Sequence, residues 1–427
     1  MRREVQVVLV VASDAFHLGW MGATRRLFHI AEAFQKLGFS VVLLAGRMTN
    51  PSVQRDIDAE FPGVVLRTRH TGDYPRLFDT SRTLRRVWRA GWKTRGSEVY
   101  WSKLHWGWAE RLNLDKLKDQ LAREGIKPTL VWGISAGYLD GAVAAERIAR
   151  AYGVPWVMEL HDPPRRAGLG EDSEIIKQRF AELLTAAAKV VVTARTYGLE
   201  LADRYSLPEE KWATVHLTYE GKTVVGELVR KNVFYVVYVG SLDGGRSLSA
   251  LVEALQGALR FQPEMRSSFR FELAGAGPGF EEVARLSVKY GLEELIHIRG
   301  LIPRNEGDRL VAAAAVVVVQ ENTSPLQVPG KVFESIKAGK PVLGLMPENC
   351  EAAEILRQSG LGFIHHTRDV EGIRSMLIRL WQAWQRGEQI VSPNWAYIEQ
   401  FSTERLPEKL ANVLSGIVEL PKLNTTR

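Results

Sequence analysis

Lys331 and Glu334 stand three residues apart in Pro329-Gly-Lys-Val-Phe-Glu334, shortly after an apolar run that ends at Gln320. Residues three apart on a helix share a face. A Lys in the first turn can pair with phosphate, and a carboxylate one turn later can accept both hydroxyls of a ribose. The same spacing also suits a solvated surface pair worth roughly a few tenths of a kcal/mol. Its place at the carboxyl end of a strand favours the ligand reading. His161-Asp162 ends another apolar run, before Pro163-Pro164, where a histidine can hydrogen-bond a ligand or cap the loop backbone. Gly19 and Gly22 separate the first strand from its helix, so backbone there can approach an anion, or simply take a positive φ.

Two other motifs exclude more than they assign. Leu273-Ala-Gly-Ala-Gly-Pro-Gly-Phe280 resembles a dinucleotide fingerprint, but Phe280 replaces the third glycine. It also follows the second strand of its half, which argues against a nicotinamide oxidoreductase. Asp56-Ile-Asp58 matches the aspartate pair that holds metal and nucleotide in another class of sugar transferases. That pair should follow an apolar strand. Here it lies in the polar stretch Ser52–Glu60, which predicts a solvated helix, and no metal site is expected.

These residues need a scaffold, and the hydrophobic pattern supplies one. Strands are expected at Val5–Ala12, Val41–Ala45, Leu130–Ile134, Pro155–Leu160 and Lys189–Thr193, with helices between them. Leu27, Ile30, Ala31, Phe34 and Leu37 mark one helix face, closed by Gly38. A hinge is expected around Thr218–Lys231. A second alternation follows, with strands at Phe234–Gly240, Phe269–Ala274, Leu295–Arg299, Ala315–Gln320, Pro341–Leu345 and Gly362–Ile364. Beyond Thr367 only helical patterns remain, and His365-His366 is expected to line a loop. Two α/β alternations in tandem imply two doubly wound domains facing a cleft. The expected boundaries are 1–220 and 221–392, with C-terminal helices at 393–427 crossing back to the first domain.

The chain has 427 residues, 45% hydrophobic and 25% charged, which excludes a disordered or collagen-like protein. One cysteine, Cys350, excludes a disulfide framework and any multi-cysteine metal site, and fits a reducing cytoplasm. The longest apolar run, Leu310–Val319, is too short to span a membrane. Arg2-Arg3 before Val5–Ala12 imitates a signal peptide, but a buried first strand is the better reading.

The net charge is +7, and Val64–Trp106 alone holds ten Lys/Arg against three Asp/Glu. Within it, Arg85, Arg86 and Arg89 interleave with Trp88 and Trp92 at helical spacing. Three readings stay open for this stretch. It could be a surface for anionic membrane or a lipid-linked acceptor, a helix packed by its Trp face, or a single-stranded nucleic-acid platform, although no nucleic-acid motif accompanies it.

Pro329-Gly-Lys-Val-Phe-Glu-Ser-Ile-Lys-Ala-Gly-Lys-Pro-Val342 resembles the donor-site signature of family 4 glycosyltransferases, retaining enzymes of GT-B fold. Tyr238-Val-Gly-Ser-Leu-Asp-Gly-Gly-Arg246 is similar to the loop that opens their second domain. Leu273–Gly279 and Ile298-Arg-Gly-Leu-Ile-Pro303 match the next two strand ends. Gly153-Val-Pro-Trp-Val-Met-Glu-Leu-His-Asp-Pro163 looks like the strand that delivers an active-site residue.

The resemblance implies an α/β GT-B enzyme that takes a UDP- or GDP-type sugar as co-substrate, with no cofactor and no metal. It implies catalytic roles for His161, Asp162, Arg246 and Lys331. It implies nucleotide-sugar contacts at Gly22, Gly240, Ser241, Arg246, Ile302, Gln327, Val328, Gly330, Lys331 and Glu334. Arg85, Arg86, Trp88, Arg89 and Trp92 would then serve the acceptor or a membrane, in cell-envelope polysaccharide or glycolipid synthesis on the inner face of the membrane. The sequence departs from the family where Leu326 stands in place of a sugar-binding glutamate. Ser241 replaces an arginine, and Arg246 takes the place of a phosphate-binding lysine. The alternatives are a non-catalytic module that binds nucleic acid or membrane through residues 67–106, or a related two-domain epimerase.

Overall fold

A computed structural model describes residues 5–12, 22–46, 51–68, 106–164, 174–221, 232–243, 245–320 and 324–421. Arg85, Arg86, Trp88, Arg89 and Trp92 lie outside the described residues. The chain divides into two compact units, Met1–His216 with Thr403–Arg427, and Leu217–Ser402.

The first unit is built on β1 (Val7–Val11), β2 (Ser40–Gly46), β3 (Val64–Thr68), β4 (Leu130–Ala136), β5 (Trp156–Asp162), β6 (Lys189–Val192) and β7 (Trp212–Thr214). They form one sheet in the order β3-β2-β1-β4-β5-β6-β7, and every pairing is parallel. Helices cover a parallel sheet on both faces, so its central strands must be apolar throughout. β1 obeys this, with all five residues buried. The edge strands β3 and β7 do not, being half exposed, and the sequence pattern missed both.

The second sheet contains β8 (Phe234–Val239), β9 (Phe269–Ala274), β10 (Ile296–Ile298), β11 (Val316–Gln320), β12 (Val342–Leu345) and β13 (Gly362–His365). Its order is β10-β9-β8-β11-β12-β13, again all parallel. In each sheet the strand order reverses once, between β1 and β4 and between β8 and β11. The carboxyl ends flanking such a reversal are where doubly wound folds take ligands.

Several local expectations need correction. The expected strand Ala315–Gln320 is present as β11 and starts one residue later, and the apolar run before it closes the helix Arg304–Ala313. His365 is not in a loop but ends β13, with Nδ1 3.2 Å from an Asp369 carboxylate oxygen. The expected hinge at Thr218–Lys231 begins as packed structure. Tyr219 is 1% exposed, bridges to Ser402, and donates from its hydroxyl to the Ile398 carbonyl at 3.3 Å.

The return to the first unit falls at Thr403 rather than 393. The reason is that the helix Trp395–Glu399 still belongs to the second unit. The Trp395 ring lies where a Cβ on Gly339 would stand, and Phe401 packs on Phe333 with ring centroids 5.0 Å apart. The helix Leu406–Leu414 then completes the first core, sharing one cluster with Leu27, Ile30, Ala31 and Phe34.

Candidate active site

In the second unit, Gly240 and Ser241 follow β8 at the reversal of strand order. Gly240 has φ +143°, and a Cβ there would collide with the Lys331 side chain. Glycine is therefore required for Lys331 to cross the end of β8. Lys331 is the second residue of the helix Gly330–Lys337, which Gly339 follows at positive φ. Its Nζ donates to the Tyr238 hydroxyl at 2.6 Å and to the Ser241 carbonyl at 3.3 Å, and lies 4.4 Å from the Tyr238 ring centroid. Arg246 Nη1 donates to the same Ser241 carbonyl at 3.4 Å, to Ser241 Oγ at 3.0 Å and to Asp243 Oδ1 at 3.0 Å.

Two cations thus converge on one carbonyl. Burial, reinforced by the Arg246 charge, lowers the Lys331 ammonium to about 7. Burial also raises the Tyr238 phenol above its usual range, so that its hydroxyl stays protonated and donates to the Ser241 carbonyl at 2.8 Å. Low-dielectric placement of a cation without a buried carboxylate is costly, and an anionic ligand removes that cost.

One turn along the helix, Glu334 Oε1 accepts from Arg304 Nη2 at 3.0 Å. Arg304 also reaches Glu220 at 3.3 Å and Asp308 at 3.5 Å. Burial raises the Glu334 carboxyl, while the charges of Arg304 and Lys337 oppose that shift. Gln327 and Val328 are buried just before this helix, and Gly330 opens it. Ile302 lies beside β8, since a Cβ on Gly307 would stand 3.4 Å from Val239 Cγ1 and 3.9 Å from Ile302 Cδ1. Leu326 N donates to Ser324 Oγ at 3.4 Å.

In the first unit, His161 and Asp162 end β5, beside the reversal at β1 and β4, and Gly22 opens the helix Gly22–Lys36. His161 Nε2 lies 2.9 Å from Glu159 Oε1, two residues back on the same strand face. Glu159 is fully buried and accepts from Arg26 Nε at 2.8 Å and from Trp132 Nε1 at 2.6 Å. Burial alone would push its carboxyl up. The Arg26 charge and the His161 bond more than offset this and hold it at about 2.

The structure therefore brings Gly240, Ser241, Arg246 and Lys331 into one cluster. Glu334 is adjacent along the helix, and His161 sits in a separate cluster of the first unit. Sequence reasoning missed Tyr238, Arg304, Glu159 and Arg26. For Glu159 there was a signal, namely a charged residue inside an otherwise apolar central strand. Asp58, by contrast, accepts from Arg67 Nη2 at 2.6 Å, and Asp56 is exposed on the helix Pro51–Glu60.

Residues 21–218 match the family described as a glycosyl transferase 4-like domain. The probable glycosyltransferase WbjE of Pseudomonas aeruginosa is 24% identical over 235 residues, 50% of this chain and 56% of that protein. The chain thus spans little more than half the length of that curated relative. The glycosyltransferase from Rickettsia africae ESF-5 aligns with TM-score 0.67 at 13% identity, over 96% of this chain and 98% of its own. Anabaena HepE, solved in complex with UDP-glucose, aligns with TM-score 0.60 at 16% identity, over 96% of this chain and 100% of its own. The chain has the two-domain α/β GT-B fold, and the match to the glycosyl transferase 4-like domain lies in its first part, at residues 21–218.

Proposed function

We propose that this chain transfers a sugar from a nucleoside diphosphate sugar to an acceptor hydroxyl, with retention of anomeric configuration. The observation that carries the reading is the Lys331–Arg246 pair of cations on the Ser241 carbonyl, at the carboxyl end of β8. A relative in fold, HepE, binds UDP-glucose, which supports a UDP-type donor.

The bond between the anomeric carbon and the diphosphate breaks, and its electron pair stays on the phosphate oxygen. Charge builds there as the bond lengthens. Lys331 and Arg246 meet that charge, each supplying ~2–4 kcal/mol in the transition state. Glu334 accepts from the ribose hydroxyls. The acceptor oxygen forms the new bond, and its proton passes to the departing diphosphate, so no protein nucleophile is needed. Backbone at Gln327, Val328 and Gly330 takes sugar contacts where Leu326 replaces a glutamate, and Gly240 and Ile302 border the nucleotide. Gly22 offers its N–H to the diphosphate. His161 is assigned to a hydroxyl of the transferred sugar and Asp162 to the acceptor. Because the two cations supply the charge, a metal ion is not required in this reading. The acceptor is of the cell-envelope polysaccharide or glycolipid kind, brought from a membrane surface by the basic–Trp stretch.

Calorimetry with UDP and GDP tests the reading. One of them is expected to bind, and binding should weaken at least about tenfold in Lys331→Met, the cost of a lost charged hydrogen bond. Failure of both nucleotides to bind overturns it. Conversion of a UDP-sugar to its epimer without acceptor reassigns the protein to epimerisation. Activity is expected to survive EDTA.

A further inference from the structure

The first unit holds a buried charged network, of which the transfer reaction above uses only His161. Glu159 is 0% exposed, Arg26 1%, Trp132 0% and His161 8%. Every hydrogen bond at the carboxylate is one it accepts. Oε1 faces both Arg26 Nε at 2.8 Å and His161 Nε2 at 2.9 Å, and Oε2 takes the Trp132 indole N–H at 2.6 Å.

The clamp is itself fixed on all sides. Arg26 spends its other two nitrogens on the carbonyls of His216 and Val215, both at 3.1 Å. The Trp132 ring stands edge-on to Phe34, with centroids 5.2 Å apart. Thr193 Oγ1 donates to the His161 carbonyl at 3.2 Å, which anchors the backbone beneath the ring. Lys409 also lies near Arg26, and burial and then the Arg26 charge lower it to about 8.

A carboxylate that only accepts requires a donor opposite it. We infer that Glu159 is a positioning residue: it holds the His161 imidazole through Nε2–H, so that Nδ1 is the nitrogen left to accept from a hydroxyl of the sugar or acceptor. The inference rests on the reading of His161 as a site residue, but the tautomer it fixes is measurable without any substrate. Its electrostatic support is that the Arg26 charge keeps Glu159 ionised down to about pH 2, despite complete burial. A second carboxylate oxygen bonded to Trp132 prevents the side chain from turning away. The hydrogen bond made by one imidazole nitrogen sets the role of the other, and here Nε2 faces the Glu159 carboxylate.

The experiment labels the nine histidines with 15N and identifies His161 by the signals lost in His161→Gln. At a pH above the ring's titration, the proposal expects the proton on Nε2 in the wild-type protein. In Arg26→Met/Glu159→Leu, which removes both charges together, both tautomers should appear. In that variant kcat should fall about tenfold or more, as expected when a hydrogen bond that orients the reacting sugar is lost. Affinity for UDP should stay within about twofold, because the nucleotide cluster lies in the other unit. A wild-type ring protonated on Nδ1 overturns the proposal, as does an Nε2–H tautomer retained unchanged in the double variant. If the double variant fails to fold, the wild-type tautomer still decides. Absence of UDP binding would sink the transferase reading alone and leave the tautomer result standing.

Discussion

The two clusters use charge in opposite ways. Around Glu159 the charges are internally matched: Arg26 faces Glu159 at 2.8 Å, and both side chains are excluded from water. Around Lys331 the cations are in excess. Among the described residues its Nζ bonds only to neutral oxygens of Tyr238 and Ser241, and the carboxylate on Arg246, that of Asp243, is 61% exposed. A closed network fixes geometry, whereas an open one stores an electrostatic demand that an anion can meet. The pKa shifts point the same way, with Glu159 lowered to about 2 as a satisfied carboxylate and Lys331 lowered to about 7 as an unsatisfied ammonium.

The sharpest break in that comparison is catalytic. Arg246→Met and Lys331→Met should each lower turnover by about 10²–10³-fold, the usual cost of removing one donor to developing charge. Steady-state kinetics would show it, and a loss confined to KM would mean that the cations serve ground-state binding alone.

Next in size is an effect on stability. Glu159→Leu leaves Arg26 buried without its partner and should cost about 3–5 kcal/mol, while the double change with Arg26→Met should recover much of it. Chemical denaturation measures both. Comparable losses in the single and double variants would show that the ion pair is not a matched unit.

Glu334→Gln is expected to weaken nucleotide affinity by about tenfold, since a charged hydrogen bond to ribose is worth roughly 1.5–3 kcal/mol. It should leave the denaturation midpoint nearly unchanged, because the side chain is 30% exposed. Unaltered affinity in calorimetry would remove Glu334 from the ribose.

The smallest effect is a proton. The free protein holds Lys331 largely neutral above about pH 7, whereas a bound diphosphate favours the ammonium. Binding at pH 8 should therefore take up close to one proton, and affinity should fall as pH rises above about 7. The sign for stability is the reverse. Between about pH 7 and the unfolded lysine's value of 10.5, the unfolded chain binds the extra proton, so the ligand-free protein gains stability from this group as pH rises. Calorimetry in buffers of different ionisation enthalpy would detect the uptake, and Lys331→Met should abolish it.

Much of this protein was decided by its sequence. The central strands of two parallel sheets bury both faces, so they read as unbroken apolar runs, and tandem α/β alternation was visible from them alone. The edge strands β3 and β7 were not, because one side of each faces solvent and the apolar run dissolves. The Lys331–Glu334 spacing was legible, since helical periodicity is local. What the tertiary structure alone decided is which distant groups meet: Tyr238 beneath Lys331, 93 residues away, Arg304 on Glu334, 30 away, and Arg26 on Glu159, 133 away. Periodicity fixes which face of an element is buried. The charge state of a buried group depends on what lies opposite that face, and only the packing of strands and helices settles that.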